Sequence, residues 1–553
     1  MGNVVFWILF WLLVILAIAV NIRNARIGKQ KRKAFLLDSY GKFDKCPKDS
    51  FDYKNSKGLY EFLSENNENT GFIDDITFFD LSLDQLFRGF NHTVSSPGEE
   101  YLYYKFKTLN QDCKAAEDER SLADYYQNHE NVRNNTLLLL DGLSKLKKTD
   151  SFKVISELKN QKVENNALHF ICDLLFVLSF IFIFVSPGPG FVAMLIMLAV
   201  NIGTYFSGKR KMEDGLYGFA YSMLMIETAQ KLSAIDESGS FDKYKDLFSL
   251  SRGNFLISFK RGTTSNPFSI ILDYLKLLFH FDLICYNSKL KKISDRSKEL
   301  IDLYILIGKI DCAISVASFI KSQSEACYPQ FGRFFDGFDI KGMIHPLNSQ
   351  PVSNDIAVKR GIILTGSNAS GKSTFLKTCG LNVIFAQNFG FALAKEYCGP
   401  IVRLYSSMSI SDDITKRDSF FVAEAKSLKR ICDATKEFDN VFCLIDEVLK
   451  GTNTLERISL STQVLRYLAN DRCICFAATH DGELSILLDG IYTPYYFTEV
   501  IKDGVMTFPY KIGKGVAGEG NAVKLLELLG YDSSITENAA KLCAKYKEKG
   551  RWE

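Results

Sequence analysis

The stretch GIILTGSNASGKST, Gly361–Thr374, decides the fold. Gly361 to Thr365 is a short run of branched apolar residues, which reads as a buried strand. It leads directly into a turn in which Gly366, Gly371, Lys372 and Ser373 satisfy G-x-x-x-x-G-K-[ST]. From Gly366 through Ser367, Asn368, Ala369 and Ser370 to Gly371, such a turn curls backbone N–H groups around phosphate oxygens. The helix that follows, opening with Lys372, Ser373 and Thr374, presents the positive end of its dipole. Lys372 is expected to reach the β- and γ-phosphates of ATP, and the Ser373 hydroxyl to hold Mg²⁺. A loop match alone arises by chance; a strand before it and a helix after it make that explanation weak.

Two further strands carry polar ends. VFCLIDE, Val441–Glu447, is an apolar strand closing in two carboxylates. Asp446 is placed to hold Mg²⁺ and Glu447 to take a proton from an attacking water. CICFAATH, ending at His480, is a third apolar strand whose His is expected to sense the γ-phosphate or orient the water. The plainer reading of His480 is a surface residue that closes a strand. Short β-branched strands alternating with helices beyond residue 330 imply an α/β P-loop NTPase domain over 331–553.

Upstream the pattern is helical. Residues 77–330 carry apolar positions at helical spacing, as in DLSLDQLFRGF and EEYLYYKFKTL. SSPGEE, Ser95–Glu100, predicts a helix start: Ser caps, Pro sits in the first turn, and acids meet the positive dipole end. Residues 35–76 are polar and read as a tether with a small lead-in. The 553 residues hold 67 Lys+Arg against 64 Asp+Glu, and a net +3 does not by itself argue for nucleic acid. The 13 cysteines are scattered through apolar runs; Cys473 and Cys475 alternate along a strand, which suits free thiols in a reducing compartment.

Two apolar regions predict membrane attachment. Val4–Ile22 is long enough to span about 30 Å of hydrocarbon. Arg23, Arg26, Lys29, Lys31, Arg32 and Lys33 follow it, which is the reverse of a cleaved signal peptide and suits an anchor at 1–34 with the chain inside. Leu168–Phe206 is interrupted by SPGPG, Ser186–Gly190, and reads as a hairpin of two spanning helices. Lys209, Arg210 and Lys211 then place the downstream chain inside as well. The expected location is a multi-pass membrane protein with its ATPase domain in the cytoplasm. A pair of core helices is the alternative for the hairpin, whose spanning reading Asp173 and the short arms weaken, although Asp173 sits near the entry of its helix, where a charge can reach the interface.

The stretch from Asp339 to Leu529 resembles the ATPase domain of the MutS family. The resemblance rests on TGSNASGKST, DDITKRDSFFVAE, LIDEVLKGTNTLE and ATH in the family's order, with IHPL around His345 and Pro346 upstream. In that family two ATPase domains pair head to tail, which implies a homodimer. Ser419 would approach the γ-phosphate of the partner's site, with Phe420, Phe421 and Glu424 shaping its loop and Gly451, Thr452 and Asn453 along the seam. The plain alternative for Ser419 is a helix cap. A weaker resemblance, FDLSLDQLF through EEYLYYKF, extends into the family's core and lever region. Two departures stand out: nothing before residue 77 is large enough for a mismatch-reading domain, and the apolar hairpin falls where the family's lever helices lead toward the DNA clamp; Leu393 also stands where the family's turn carries Pro. These features resemble a membrane-anchored MutS-related branch.

The implied function is a membrane-anchored, ATP-driven dimeric switch, with DNA in mismatch-repair-related work as one partner and membrane lipid as another. The alternatives are a nucleotide-gated scaffold for a protein partner and a transport ATPase, although an LSGGQ signature is absent from the sequence.

Overall fold

A computed structural model describes residues 2–43, 53–66, 70–146, 149–161, 163, 165–251, 274–367, 370–408, 420–502, 505–516 and 522–549. The N-terminal part is mostly helical. Its longest elements are α1 (Gly2–Ser39), α2 (Ser96–Lys107), α3 (Ala167–Val185), α4 (Pro187–Ser233) and α5 (Ser297–Ser322). The Ser95 hydroxyl accepts the Gly98 N–H at 3.2 Å to start α2, and Pro97 sits in the first turn. Residues 57–66 and 70–73 pack into this body, with Leu59 and Ile73 fully buried, and Thr70–Phe72 pairs with Thr108–Asn110.

Helices α3 and α4 form a hairpin joined at Ser186. A Cβ on Gly190 would lie 2.6 Å from the Ile183 nitrogen, so only glycine lets the arms close this tightly. Among the described residues, three helices are long and apolar enough to cross a membrane: α3, the first half of α4, and α5. Burial separates them. Within α5, 83% of the apolar window is buried in the protein, against 17% in each hairpin arm. Helix α5 is therefore a core helix packed on α2, while the hairpin leaves Leu174, Leu178, Phe184, Ile196 and their neighbours exposed. Helix α1 begins with the apolar run and ends docked on the body: Leu36 is buried, Arg32 pairs with Asp141 at 2.8 Å, and the Gly41 N–H donates to Ser318.

The C-terminal part is built on a six-stranded mixed sheet. In chain order its elements are β1 (Ile362–Thr365), α6 (Lys372–Phe389), β2 (Arg403–Ser407), α7 (Phe420–Glu437), β3 (Val441–Asp446), α8 (Thr454–Leu468), β4 (Cys473–Thr479), β5 (Thr493–Tyr496) and β6 (Gly513–Lys514). The spatial order is β6-β5-β1-β4-β3-β2, with β6 alone antiparallel. Strands β1 and β4 are buried along their whole length, as a sheet covered on both faces requires. Cys443, Cys473 and Cys475 are buried free thiols within it. A four-stranded sheet built from Gln330–Gly332, Phe338–Met343, Asn354–Val358 and Glu396–Pro400 stands beside it.

One apolar core runs through both parts. Phe90, Phe106 and Phe319 from the helices stack with Phe385, Phe389 and Phe391 around the end of α6. The opposite face of the main sheet is covered by α7 and α8.

Candidate functional site

The sheet brings three strand ends together. Strand β4 lies between β1 and β3, with Thr479 opposite Thr365 and Ala478 opposite Asp446. The turn after β1, the two acids after β3 and His480 after β4 therefore emerge side by side at the carboxyl edge of the parallel strands, where α/β sheets bind ligands. Gly366 has φ +148°, and a Cβ there would meet the Phe497 carbonyl at 2.6 Å. Gly371, at φ +112°, caps the start of α6.

The polar atoms form one network. Lys372 Nζ donates to the carbonyls of Gly366 at 2.8 Å and Ser367 at 2.9 Å, and lies 3.3 Å from His480 Nε2. The Ser373 hydroxyl donates to Asp446 Oδ2. Glu447 sits between two basic side chains: Oε1 is 3.1 Å from His480 Nε2 and Oε2 is 2.7 Å from Lys450 Nζ. Burial pushes the Asp446 carboxyl up, against the Ser373 hydrogen bond, and pushes the Lys372 ammonium down, against Asp446, Glu447 and Glu499. Burial also works to raise Glu447, but Lys450, His480 and Lys372 outweigh it and hold that carboxyl below its ordinary value. An ionised carboxylate, a paired ammonium and an acid–hydroxyl pair thus share one mouth. A hydroxyl beside a carboxylate is a donor set for a hard divalent cation.

These groups line a cavity of about 360 Å³ with Ser370, Gly371 and Thr374. Its other wall was not legible as a site: Asn354, Phe497 and Tyr510 come from segments far apart in the chain. The Asn354 amide donates to the Tyr510 carbonyl at 3.0 Å and accepts the Ile512 N–H at 2.9 Å. That clamp holds Tyr510 at φ +53°, an uncommon backbone for a bulky residue and the one local signal of function here. His345 lines the same wall. Ser367 Oγ donates to Glu499 at 2.6 Å, a contact that no motif announces.

Other expected residues fall elsewhere. Asn368, Ala369, Ser419 and the rest of 409–419 lie outside the described residues. Asn453 caps α8 by accepting the Glu456 N–H at 3.0 Å, and Thr452 donates to Glu456. Glu424 is buried on α7 and accepts the N–H of Lys450 at 3.1 Å and of Gly451 at 3.4 Å. Burial raises its carboxyl against those donors. Leu393 has a physical reason to replace proline: its N–H donates to Asn382 Oδ1 at 2.7 Å, a donor that proline lacks.

The fold and the strand-end residues define a domain of one class. Residues 362–547 match MutS domain V. The chain is 30% identical over 273 residues to a DNA mismatch repair protein MutS of Pseudothermotoga lettingae, covering 47% of this chain and 32% of that protein. It is 28% identical over 294 residues to a DNA mismatch repair protein MutS 2 of Haloarcula marismortui, covering 48% and 30%. A DNA mismatch repair protein MutS of Halothermothrix orenii is 33% identical over 204 residues, covering 36% and 22%. The C-terminal half is thus similar to MutS proteins through this domain, and the chain spans about a third of the length of the first of these curated relatives.

Proposed function

We propose that the chain is a membrane-anchored MutS-like ATPase that binds and hydrolyses ATP as a dimeric switch. The observation that carries the reading is the meeting of Lys372, Ser373, Asp446, Glu447 and His480 around one cavity. The turn from Gly366 to Gly371 would cradle the phosphates, and Lys372 would exchange its two carbonyl partners for phosphate oxygens. Ser373 and Asp446 fit Mg²⁺, which supplies positive charge to the phosphate oxygens when bound. Glu447, ionised at neutral pH, is the base that takes the proton of the attacking water. His480 lies against Glu447 and Lys372, where it holds both side chains toward the cavity.

Ser419, Gly451, Thr452 and Asn453 would face a second copy of the chain, each domain completing the other's site. The exposed apolar hairpin and the apolar start of α1 would sit in lipid, with the α/β domain on the cytoplasmic side. DNA is the partner that the relatives' names suggest. The test is steady-state ATP hydrolysis by the full-length protein, with Lys372→Ala as background and duplex DNA with or without a mismatch added. Stimulation by DNA supports the whole reading. DNA-independent hydrolysis removes DNA as partner, and activity equal to the variant sinks the enzyme and favours a nucleotide-gated scaffold.

A further inference from the structure

The base of the proposed reaction sits on a strained turn. Glu447 has φ +60° and Leu449 φ +55°, so two non-glycine residues within three positions adopt left-handed backbone. Such a conformation persists only where surrounding contacts over-determine it. Three contacts hold this turn. The Glu447 N–H donates to the Ala478 carbonyl at 2.9 Å, and the Ser461 hydroxyl donates to the Val448 carbonyl at 2.9 Å. The third is the Glu424 carboxylate, whose two oxygens take the N–H groups of Lys450 and Gly451.

Only that third contact sets where Lys450 begins. Fixing the Lys450 backbone aims its ammonium at Glu447 Oε2, 2.7 Å away, while His480 takes the other oxygen at 3.1 Å. Glu424 touches neither the cavity nor Glu447 itself. It is a buried carboxylate held by a chain of bonds that ends on the base, and packing alone would not require an acid there.

We propose that Glu424 is the positioning residue for Glu447: it fixes the 447–451 turn so that Lys450 orients the carboxylate that accepts the proton. The inference rests on the reading of Glu447 as the base. Glu424 accepts two backbone donors with two oxygens; Glu424→Gln keeps the shape and replaces one acceptor by an NH₂ that faces an N–H.

The experiment measures kcat, KM, ADP affinity and unfolding temperature of full-length protein for Glu424→Gln, Lys450→Met and Glu447→Gln. Glu424→Gln should lower kcat about 10- to 100-fold, as a misplaced reacting group does, with KM and ADP affinity within about twofold because Lys372 and Ser373 are untouched. Lys450→Met should lower kcat to a similar degree and likewise spare KM and ADP affinity. A residue that only supports the fold would lower the unfolding temperature and leave kcat of the folded protein in place. Wild-type kcat in Glu424→Gln, beside an inactive Glu447→Gln, overturns this inference alone. Wild-type activity in Glu447→Gln overturns the assignment of the base and the inference with it.

Discussion

The Ser406 hydroxyl donates a 2.6 Å hydrogen bond to Asp80 across 326 residues of chain, from the end of β2 to the helical part. Asp80 also accepts the Met408 N–H at 2.9 Å, and the Ser406 N–H donates to Thr77 Oγ1 at 3.0 Å. Arg430 of α7 bonds Asp74 and the Ser406 carbonyl at the same joint. A short segment, 74–80, thereby staples the edge of the sheet and α7 to the helices. It is where a change at the nucleotide site would pass into the helical part.

Asp80→Ala should therefore loosen this joint. It strands the buried Ser406 hydroxyl and the half-buried Met408 N–H, and loss of hydrogen bonds to a charged acceptor costs about 1.5–3 kcal/mol each in gross terms. Thermal unfolding of Asp80→Ala beside Asp84→Ala, a half-exposed acid paired with Arg88 on its own helix, measures it. A shift no larger than that of Asp84→Ala would mean that the joint carries no stability.

Glu100 gives a pH signature. Burial, reinforced by Asp150 and opposed by the Ser151 hydrogen bonds, pushes its carboxyl up to about 8 from an ordinary 4.5. The folded state thus holds a proton that the unfolded state releases. This contribution is complete below pH 4.5, falls as pH rises toward 8, and is flat beyond it. Glu100→Gln should flatten the decline in unfolding temperature between pH 5 and 8. An unchanged slope would place the proton elsewhere.

Nucleotide binding and hydrolysis should separate by residue. Glu447→Gln should bind ATP as the wild type does while hydrolysis falls by about 10²–10⁴. Lys372→Ala should lose binding as well. Equilibrium binding of a fluorescent ATP analogue beside phosphate release distinguishes them, and loss of binding in both would demote Glu447 from base to ligand contact.

The hairpin has its own test. Leu178 and Ile196 are 50% and 58% exposed near the middle of its arms. An Arg in mid-membrane costs about 2.5–3.5 kcal/mol on insertion scales. In protein with the apolar run 4–22 removed, so that the hairpin is the sole anchor, Leu178→Arg and Ile196→Arg should shift the protein from the membrane to the soluble fraction, with Lys209→Ser as a control outside the apolar run. Unchanged fractionation would assign the exposed surface to a protein partner.

The site's polar half was legible because it is local. Each of GSNASGKST, LIDE and ATH lies within one strand-to-helix or strand-to-loop junction, so spacing alone specifies which atoms meet. Tyr510, Phe497 and Asn354 carry no such signature, since only the antiparallel pairing of β6 with β5 and the clamp on residues 510–512 bring them to the cavity. The staple of Asp80 to Ser406 is invisible for the same reason. Composition alone gives α5 the same standing as the hairpin; tertiary burial separates them. Residues 35–76 read as polar tether, yet Leu59 and Ile73 are buried in the core.

Helix α4 runs unbroken for 47 residues, about 70 Å at 1.5 Å per residue, from the apolar hairpin into the body of the protein. The helix itself carries no break between the hairpin and the helical part of the protein. Two copies inserted in one bilayer with the same facing can be exchanged only by rotation about the membrane normal, so a symmetric pair must have its twofold axis upright. Pairing then becomes a lateral encounter of pre-aligned partners, and the density of copies within the sheet of lipid, rather than their bulk concentration, sets how often it happens.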